Sequence, residues 1–506
     1  MSAFWKGTLA DLRFEVEHRS SPDDGGPSLR VLRRGDGREL LRFDCFDRGP
    51  HYHVDPAGRD DLVQLDPLAD NVAWTAGELS RDLAGYLEKA GARSQGWSQA
   101  ELDRLLRDAQ SAMRNPPLEL EDLSLPLLRS RLSEKWETYP GDEVLPAWVA
   151  EMDYPLAEPV RRVLQRAVDR WDVGYPIAPE RTGLREAFAE RMAARFGWQV
   201  APDDVAILSD VVQGIYWALP AYSAPGEGAV VQTPIYPPFL QAVAECGRRL
   251  EENRLLPGPE GYEIDFDGLR RADARVLLLC HPHNPTGRVF RDRELEAIAE
   301  IALARDWVVV SDEIHADLVY GGRRFRPFAS LSPEVAARTV TLTSATKAFN
   351  IAGLRCAVAH FGSPELRARF RAAFPRHVGG GIGILGLYAT IAAWRHAQPW
   401  LDQVLAALEG NRRFLAQVLG ERFPEVVFHA PEATYLSWLD CRALDLPRSP
   451  AHFFYRRAGV ALSDGRHFGS GFEGFARLNF ATSRAILAQV LERMASALAD
   501  HQSGRS

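Results

Sequence analysis

Apolar residues recur along this chain in two rhythms, and the change between them divides it. Up to about residue 118, short runs such as LRFEVEH, LRVLRR and ELLRFDCF alternate apolar with polar positions. DDGGP and GDG break them, which predicts strands joined by turns. Two stretches of helical period follow, ELSRDLAGYLEKAGA and SQAELDRLLRDAQSAM, and then NPPLELEDLSLP, whose adjacent prolines suit a linker. From about residue 160 the runs become continuous: DVAILS, GAVVQT, ARVLLLC, WVVVSD and RTVTLT. Amphipathic stretches such as PPFLQAVAECGRRL and DRELEAIAEIALARD lie between several of them. Buried strands separated by helices predict βαβ units and a mostly parallel sheet. After residue 395, long amphipathic helices enclose the short strands TYLSWLD and FARLNF, which predicts a smaller α+β unit. The expected division is an accessory domain over 1–118, a linker and arm over 119–164, a large α/β domain over 165–395 and a small domain over 396–506.

Composition narrows the class. Of 506 residues, 46% are hydrophobic and 25% charged, the balance of a soluble globular protein. A net charge of −8 argues against a nucleic-acid binder, which presents a basic face. Cys45, Cys246, Cys280, Cys356 and Cys441 are odd in number and scattered, with no C-x-x-C pair, as expected of reduced thiols in the cytoplasm. The first residues, MSAFWKGTLADLRFEVEHR, lack the features of a signal peptide, and no apolar run is long enough to span a bilayer.

In open α/β sheets, ligands bind at the carboxyl ends of the strands, and chemistry-bearing residues cluster there. Asp312, Glu313 and His315 follow WVVVS, and Asn284 stands in HPHNPTG after RVLLLC. Ser344, Lys347 and Arg355 follow RTVTLT. Ser209 and DVVQG follow VAIL and open a helix whose first amides suit a phosphate, and Tyr236 follows AVVQT. A lysine, a carboxylate, a phosphate cradle, an aromatic plate and an amide donor make up what a pyridoxal phosphate site needs.

HPHNPTG, VVVSDEIHADLVY and SATKAFNIAGLR resemble the fold-type I aminotransferase superfamily. KWETYPGDEVLPAWVAEMDYP, PIYPPF, DEIHADL and GFARLNFAT resemble its cystathionine β-lyase-type C–S lyase branch, over roughly residues 130–500. The resemblance implies the aspartate aminotransferase-like fold, with a seven-stranded, mostly parallel sheet in the large domain, a smaller α+β domain and the extra N-terminal domain. It implies Lys347 as the Schiff-base lysine and proton shuttle, and Asp312 as the partner of the ring nitrogen. Asn284 would donate to the ring phenolic oxygen with His315 nearby, and Tyr236 would stack on the ring. Ser344, Arg355 and the amides of Val211 and Val212 would hold the phosphate. Tyr175 would reach the phosphate in the neighbouring subunit of a homodimer, Arg477 would bind the substrate carboxylate, and Asp153 would border the substrate. The implied reaction is β-elimination from L-cystathionine or another cysteine S-conjugate. Transamination, other pyridoxal phosphate chemistry in a specialised pathway, and a partner-binding regulator are the alternatives. Two positions depart from the branch: Glu151-Met152-Asp153-Tyr154 replaces Asp-Met-Asp-Phe, and Asp210 and Gln213 stand in the phosphate loop.

RFDCFDRGPHYHVD in the N-terminal segment places His51 and His53 on one face of a strand, with Cys45 and Asp47 near. The spacing matches no standard zinc pattern, so no metal is expected.

Overall fold

The computed structural model describes residues 3–20, 25–46, 48–66, 70–94, 96–116, 118, 120, 123–139, 141, 143–258, 261–373 and 381–503. The chain forms two compact units, residues 1–118 with 157–159, and residues 119–156 with 160–506.

The first unit is an antiparallel meander of six strands in sequential order: β1 (Trp5–Leu9), β2 (Leu12–Ser20), β3 (Gly25–Arg33), β4 (Glu39–Asp44), β5 (His51–Val54) and β6 (Asp61–Gln64). Helices α1 (Asn71–Lys89) and α2 (Gln99–Arg114) follow. Ser98 and Glu101 form a reciprocal capping box that starts α2. Because strand side chains alternate, Phe14, Val16, Leu29, Val31, Leu41 and Phe43 form one core with Leu79, Leu83, Leu102 and Leu106 of the helices. The opposite face carries Glu15, Arg30, Arg42, Asp44, His51 and His53, with Arg42 paired to His53 and Asp44 to His51 across the β4–β5 register. Cys45 sits in the apolar core, away from the histidines' face, and Asp47 lies outside the described residues.

In the second unit, seven strands form the central sheet: β7 (Val205–Leu208), β8 (Gly228–Val231), β9 (Arg249–Glu252), β10 (Val276–Cys280), β11 (Val308–Asp312), β12 (Thr339–Thr343) and β13 (Ala357–Phe361). Their order is β9-β8-β10-β11-β12-β13-β7. The first five run parallel, and β13 is antiparallel to both its neighbours. The continuous apolar runs follow from burial on both faces: Val276, Leu278 and Val310 enter one core, and Leu277, Leu279 and Val309 the other. Nearer the C-terminus, β14 (Val427–Phe428), β15 (Leu436–Asp440), β16 (Ser463–Asp464) and β17 (Phe475–Asn479) form a four-stranded sheet in the order β14-β15-β17-β16. Among the described residues, no helix is long and apolar enough to cross a membrane.

Candidate active site

Cys280, Asp312 and Leu342 form one register row across the carboxyl end of the central sheet. The loops leaving that edge converge on a cavity of about 170 Å³. Its walls include Lys347 and Thr346 after β12, Asp312, Ile314 and His315 from β11, Asn284 and Cys280 from β10, and Tyr236 after β8. Asp210, Val211 and Val212 close one side, with Arg355.

Lys347 is half-buried, and its Nζ donates to the Ala150 carbonyl at 2.9 Å. Desolvation, and then the Arg477 charge, lower its pKa to about 8, with Glu151 and Asp312 opposing. The Lys347 amine is therefore a weaker base than an ordinary lysine. Burial raises Asp312 to about 7, although its carboxylate accepts from the Ile314 amide at 3.0 Å. Lys347 offsets this only in part. His315 is driven down to about 3 by burial and by Lys347, and its Nδ1 has no hydrogen-bond partner among the described residues.

Arg477, from β17, is buried and donates from Nη1 to Asn284 Oδ1 at 3.1 Å, and from Nη2 to the Trp148 carbonyl at 3.0 Å and Ser463 Oγ at 3.1 Å. Its Nε has no hydrogen-bond partner among the described residues. Two sides of the fork are thus anchored while a donor remains for a carboxylate.

The phosphate side is built differently from the expectation. Asp210 caps the helix over Val211–Tyr222 by accepting from the Gln213 amide at 2.7 Å, while Gln213 Oε1 accepts from the Ser209 amide at 3.0 Å. The second Asp210 oxygen is paired with Arg355. This acidic residue is neutralised in place, so an entering phosphate competes with Asp210 for Arg355. Ser344 does not line the cavity: its Oγ donates to the Cys356 carbonyl at 2.6 Å and accepts from the Thr346 amide at 3.1 Å. Thr346 lines it instead.

Asp153 must be corrected. Its carboxylate is buried in an ion pair with Lys135 at 2.8 Å and accepts from Trp136 Nε1 at 2.9 Å, so it holds the arm and does not border substrate. Tyr175 is fully exposed and outside the cavity of its own chain. Sequence reasoning passed over the carbonyl of Ala150, which receives Lys347 and, at 3.0 Å, the Tyr435 hydroxyl. It also passed over Asn350, whose side chain bonds the backbone of Met152 and Tyr154. Position within ATKAFN was the available signal for Asn350. Tyr435 had none.

These residues fit pyridoxal phosphate. Asp312 is a buried carboxylate lacking an adequate counter-charge, which a protonated ring nitrogen would supply, and it shares a cavity with Lys347. A doubly covered α/β sheet with lysine, acid and aromatic at its carboxyl edge defines the class as that of the pyridoxal phosphate enzymes of aminotransferase fold. The sequence matches the class I and II aminotransferases over residues 154–494, and the chain belongs to that family. Cystathionine β-lyase PatB of Bacillus subtilis (strain 168) is 36% identical, over 72% of this chain and 96% of that protein. The crystal structure of OvoB is similar at 40% identity and a TM-score of 0.70, covering 73% of this chain and 97% of that one. Cystalysin from Treponema denticola, whose crystal structure contains pyridoxal 5′-phosphate, is 31% identical with a TM-score of 0.70, over 74% and 97% of the two chains. Residues 8–108 match a domain of unknown function, DUF7700.

Proposed function

We propose that this protein is a pyridoxal phosphate-dependent carbon–sulfur β-lyase that cleaves L-cystathionine or another cysteine S-conjugate to a thiol, pyruvate and ammonia. The observation that carries the reading is that Lys347, its pKa lowered to about 8, shares one cavity with a buried Asp312. Similarity to proteins named for cystathionine β-lyase activity favours elimination over transamination. Pyridoxal phosphate bound at Lys347 supplies an electron sink for the substrate Cα. Arg477 grips the α-carboxylate and orients the amino acid, with Asn284 and Trp148 holding the guanidinium. The Lys347 amine takes the Cα proton, the Cβ–S bond breaks, and its electron pair leaves on sulfur as thiolate. The three-carbon fragment hydrolyses to pyruvate and ammonia. Asp312 pairs with the ring nitrogen, Tyr236 packs against the ring, and Arg355 with the Val211 and Val212 amides takes the phosphate. Tyr175 serves the neighbouring active site of a cytoplasmic homodimer. The domains are the accessory domain to residue 118, the arm, and large and small domains meeting near residue 395.

The test is pyruvate release from L-cystathionine by the purified holoenzyme with no keto acid added. Pyruvate with matching free thiol is expected. Amino transfer that appears only when a keto acid is supplied would replace the lyase reading with transamination.

A further inference from the structure

One face of the N-terminal sheet gathers Asp44, His51 and His53. Asp44 Oδ2 lies 3.1 Å from His51 Nε2 and 3.6 Å from His53 Nε2. One ligand atom from each of the three residues falls within 4.8 Å of the others. The antiparallel register produces this convergence, because Asp44 faces His51 directly and His53 lies two residues along the same face.

The hydrogen bonds fix which nitrogen of each ring faces inward. His51 Nδ1 is 2.8 Å from the Gly49 carbonyl, which only accepts, so that nitrogen carries the proton. His53 Nδ1 is 2.6 Å from Asp60 Oδ1, and its Nε2 accepts from Arg42 Nη2 at 2.9 Å. Each ring thus turns its Nε2 toward the Asp44 carboxylate, His53 Nε2 being held by Arg42 in this structure. In this structure the Arg42 guanidinium supplies the positive charge that such a cluster of acceptors calls for, bonding His53 Nε2 and Asp44 Oδ2, and a metal ion between the three ligand atoms would take its place. Asp44 is 2% exposed, and its Oδ1 has no hydrogen-bond partner among the described residues, though Arg19 Nη1 stands at 3.6 Å. Asp60 on His53 Nδ1 and the Gly49 carbonyl on His51 Nδ1 are the acceptors that orient metal-binding imidazoles elsewhere. Two ligands about 2.1 Å from a tetrahedral ion are roughly 3.4 Å apart, between the two separations seen here.

We propose that Asp44, His51 and His53 bind a divalent transition-metal ion, through Oδ2 of the aspartate and Nε2 of each histidine. Two nitrogens and one oxygen suit Zn(II), Co(II) or Fe(II) and leave a coordination position open for water or a ligand. The site differs from the arrangement weighed in the sequence, since Asp44 replaces Cys45 and Asp47. Arg42 is its competitor: the guanidinium bonds His53 Nε2 and Asp44 Oδ2 at 3.2 Å and must withdraw toward Glu39, which its Nη1 already reaches at 3.5 Å.

The test titrates chelator-treated holoenzyme with Zn(II) and with Co(II), following heat and the visible Co(II) spectrum. One equivalent is expected, with bands of nitrogen-ligated cobalt, and the H51Q/H53Q variant loses it. D60N keeps all three ligands and takes the negative charge off the acceptor that orients His53, so affinity falls about tenfold. Asp60 has φ of 54°, a conformation asparagine accepts, so this variant keeps its fold. R42Q removes the competitor and tightens binding. Absence of a stoichiometric ion, or retention unchanged by H51Q/H53Q, overturns the proposal. If that double variant does not fold, unchanged affinity in both D60N and R42Q overturns it equally.

Discussion

Asp312 carries a proton in the cofactor-free protein over a range where an ordinary aspartate does not. Burial raises it to about 7, while an unfolded chain releases that proton near about 4. The folded state therefore binds the proton more tightly. Its contribution to stability is full below about pH 4 and is lost as pH rises through about 7. In Asp312→Asn this contribution is absent. Glu313 and the buried histidines are common to both proteins, so the difference in stability between apo wild type and apo variant isolates Asp312. Denaturant melts from pH 4 to 8 should show wild type losing ground to the variant as pH rises, and parallel curves would mean that the carboxylate is not desolvated. Arg477 is a second residue with a distinct signature. Arg477→Lys keeps the charge and loses the fork that spans Asn284 and a carboxylate. We expect kcat/KM for pyruvate formation to fall by about 10- to 100-fold, chiefly through KM, as suits loss of a charged hydrogen bond. An unchanged KM would detach Arg477 from the substrate carboxylate.

At the scale of elements, the arm from Leu145 to Tyr154 ties the site together through its backbone. Lys347 and Tyr435 bond the Ala150 carbonyl, Arg477 that of Trp148, and Asn479 those of Val149 and Glu151. Leu145–Pro146 pairs in parallel with Val460–Ala461, which fixes the start of the arm. Lys135 and Asp153 clamp its end, each 1% exposed. Lys135→Ala leaves Asp153 buried without its cation, and should cost about 3–5 kcal/mol in a chemical melt; a loss under about 1 kcal/mol would show that water reaches the pair. This arm also marks where sequence reasoning stops. Strands β8, β10, β11 and β12 were legible because burial on both faces writes continuous apolar runs, and residues just past those runs fell at the cavity. Asp153 was misread because its partner Lys135 lies in a separate helix, and no local period encodes that contact. The surroundings of Ser344 are non-local in the same way: the Cys356 carbonyl that takes its hydroxyl stands just before β13.

For the whole molecule, the open question with a structural handle is assembly. Net charge of −8 is no obstacle to self-association, and the second unit leaves a run of large apolar side chains uncovered. Trp171 is 89% exposed and Tyr175 102%, with Val173 and Ile177 more than half exposed between and beside them. Four such side chains within seven residues are an apolar stretch that water disfavours and that a second copy of the chain would cover. Light scattering on the purified holoenzyme should give twice the monomer mass. Val173→Asp sets a carboxylate in the patch and should shift the protein to monomer, since an unpaired charge in an apolar interface is costly. Tyr175→Phe removes only a hydroxyl. If that hydroxyl reaches the partner subunit's phosphate, the variant stays dimeric yet releases pyridoxal phosphate more readily on dialysis. A dimer that survives Val173→Asp would place the interface elsewhere, and a Tyr175→Phe dimer with wild-type cofactor retention would remove Tyr175 from the site.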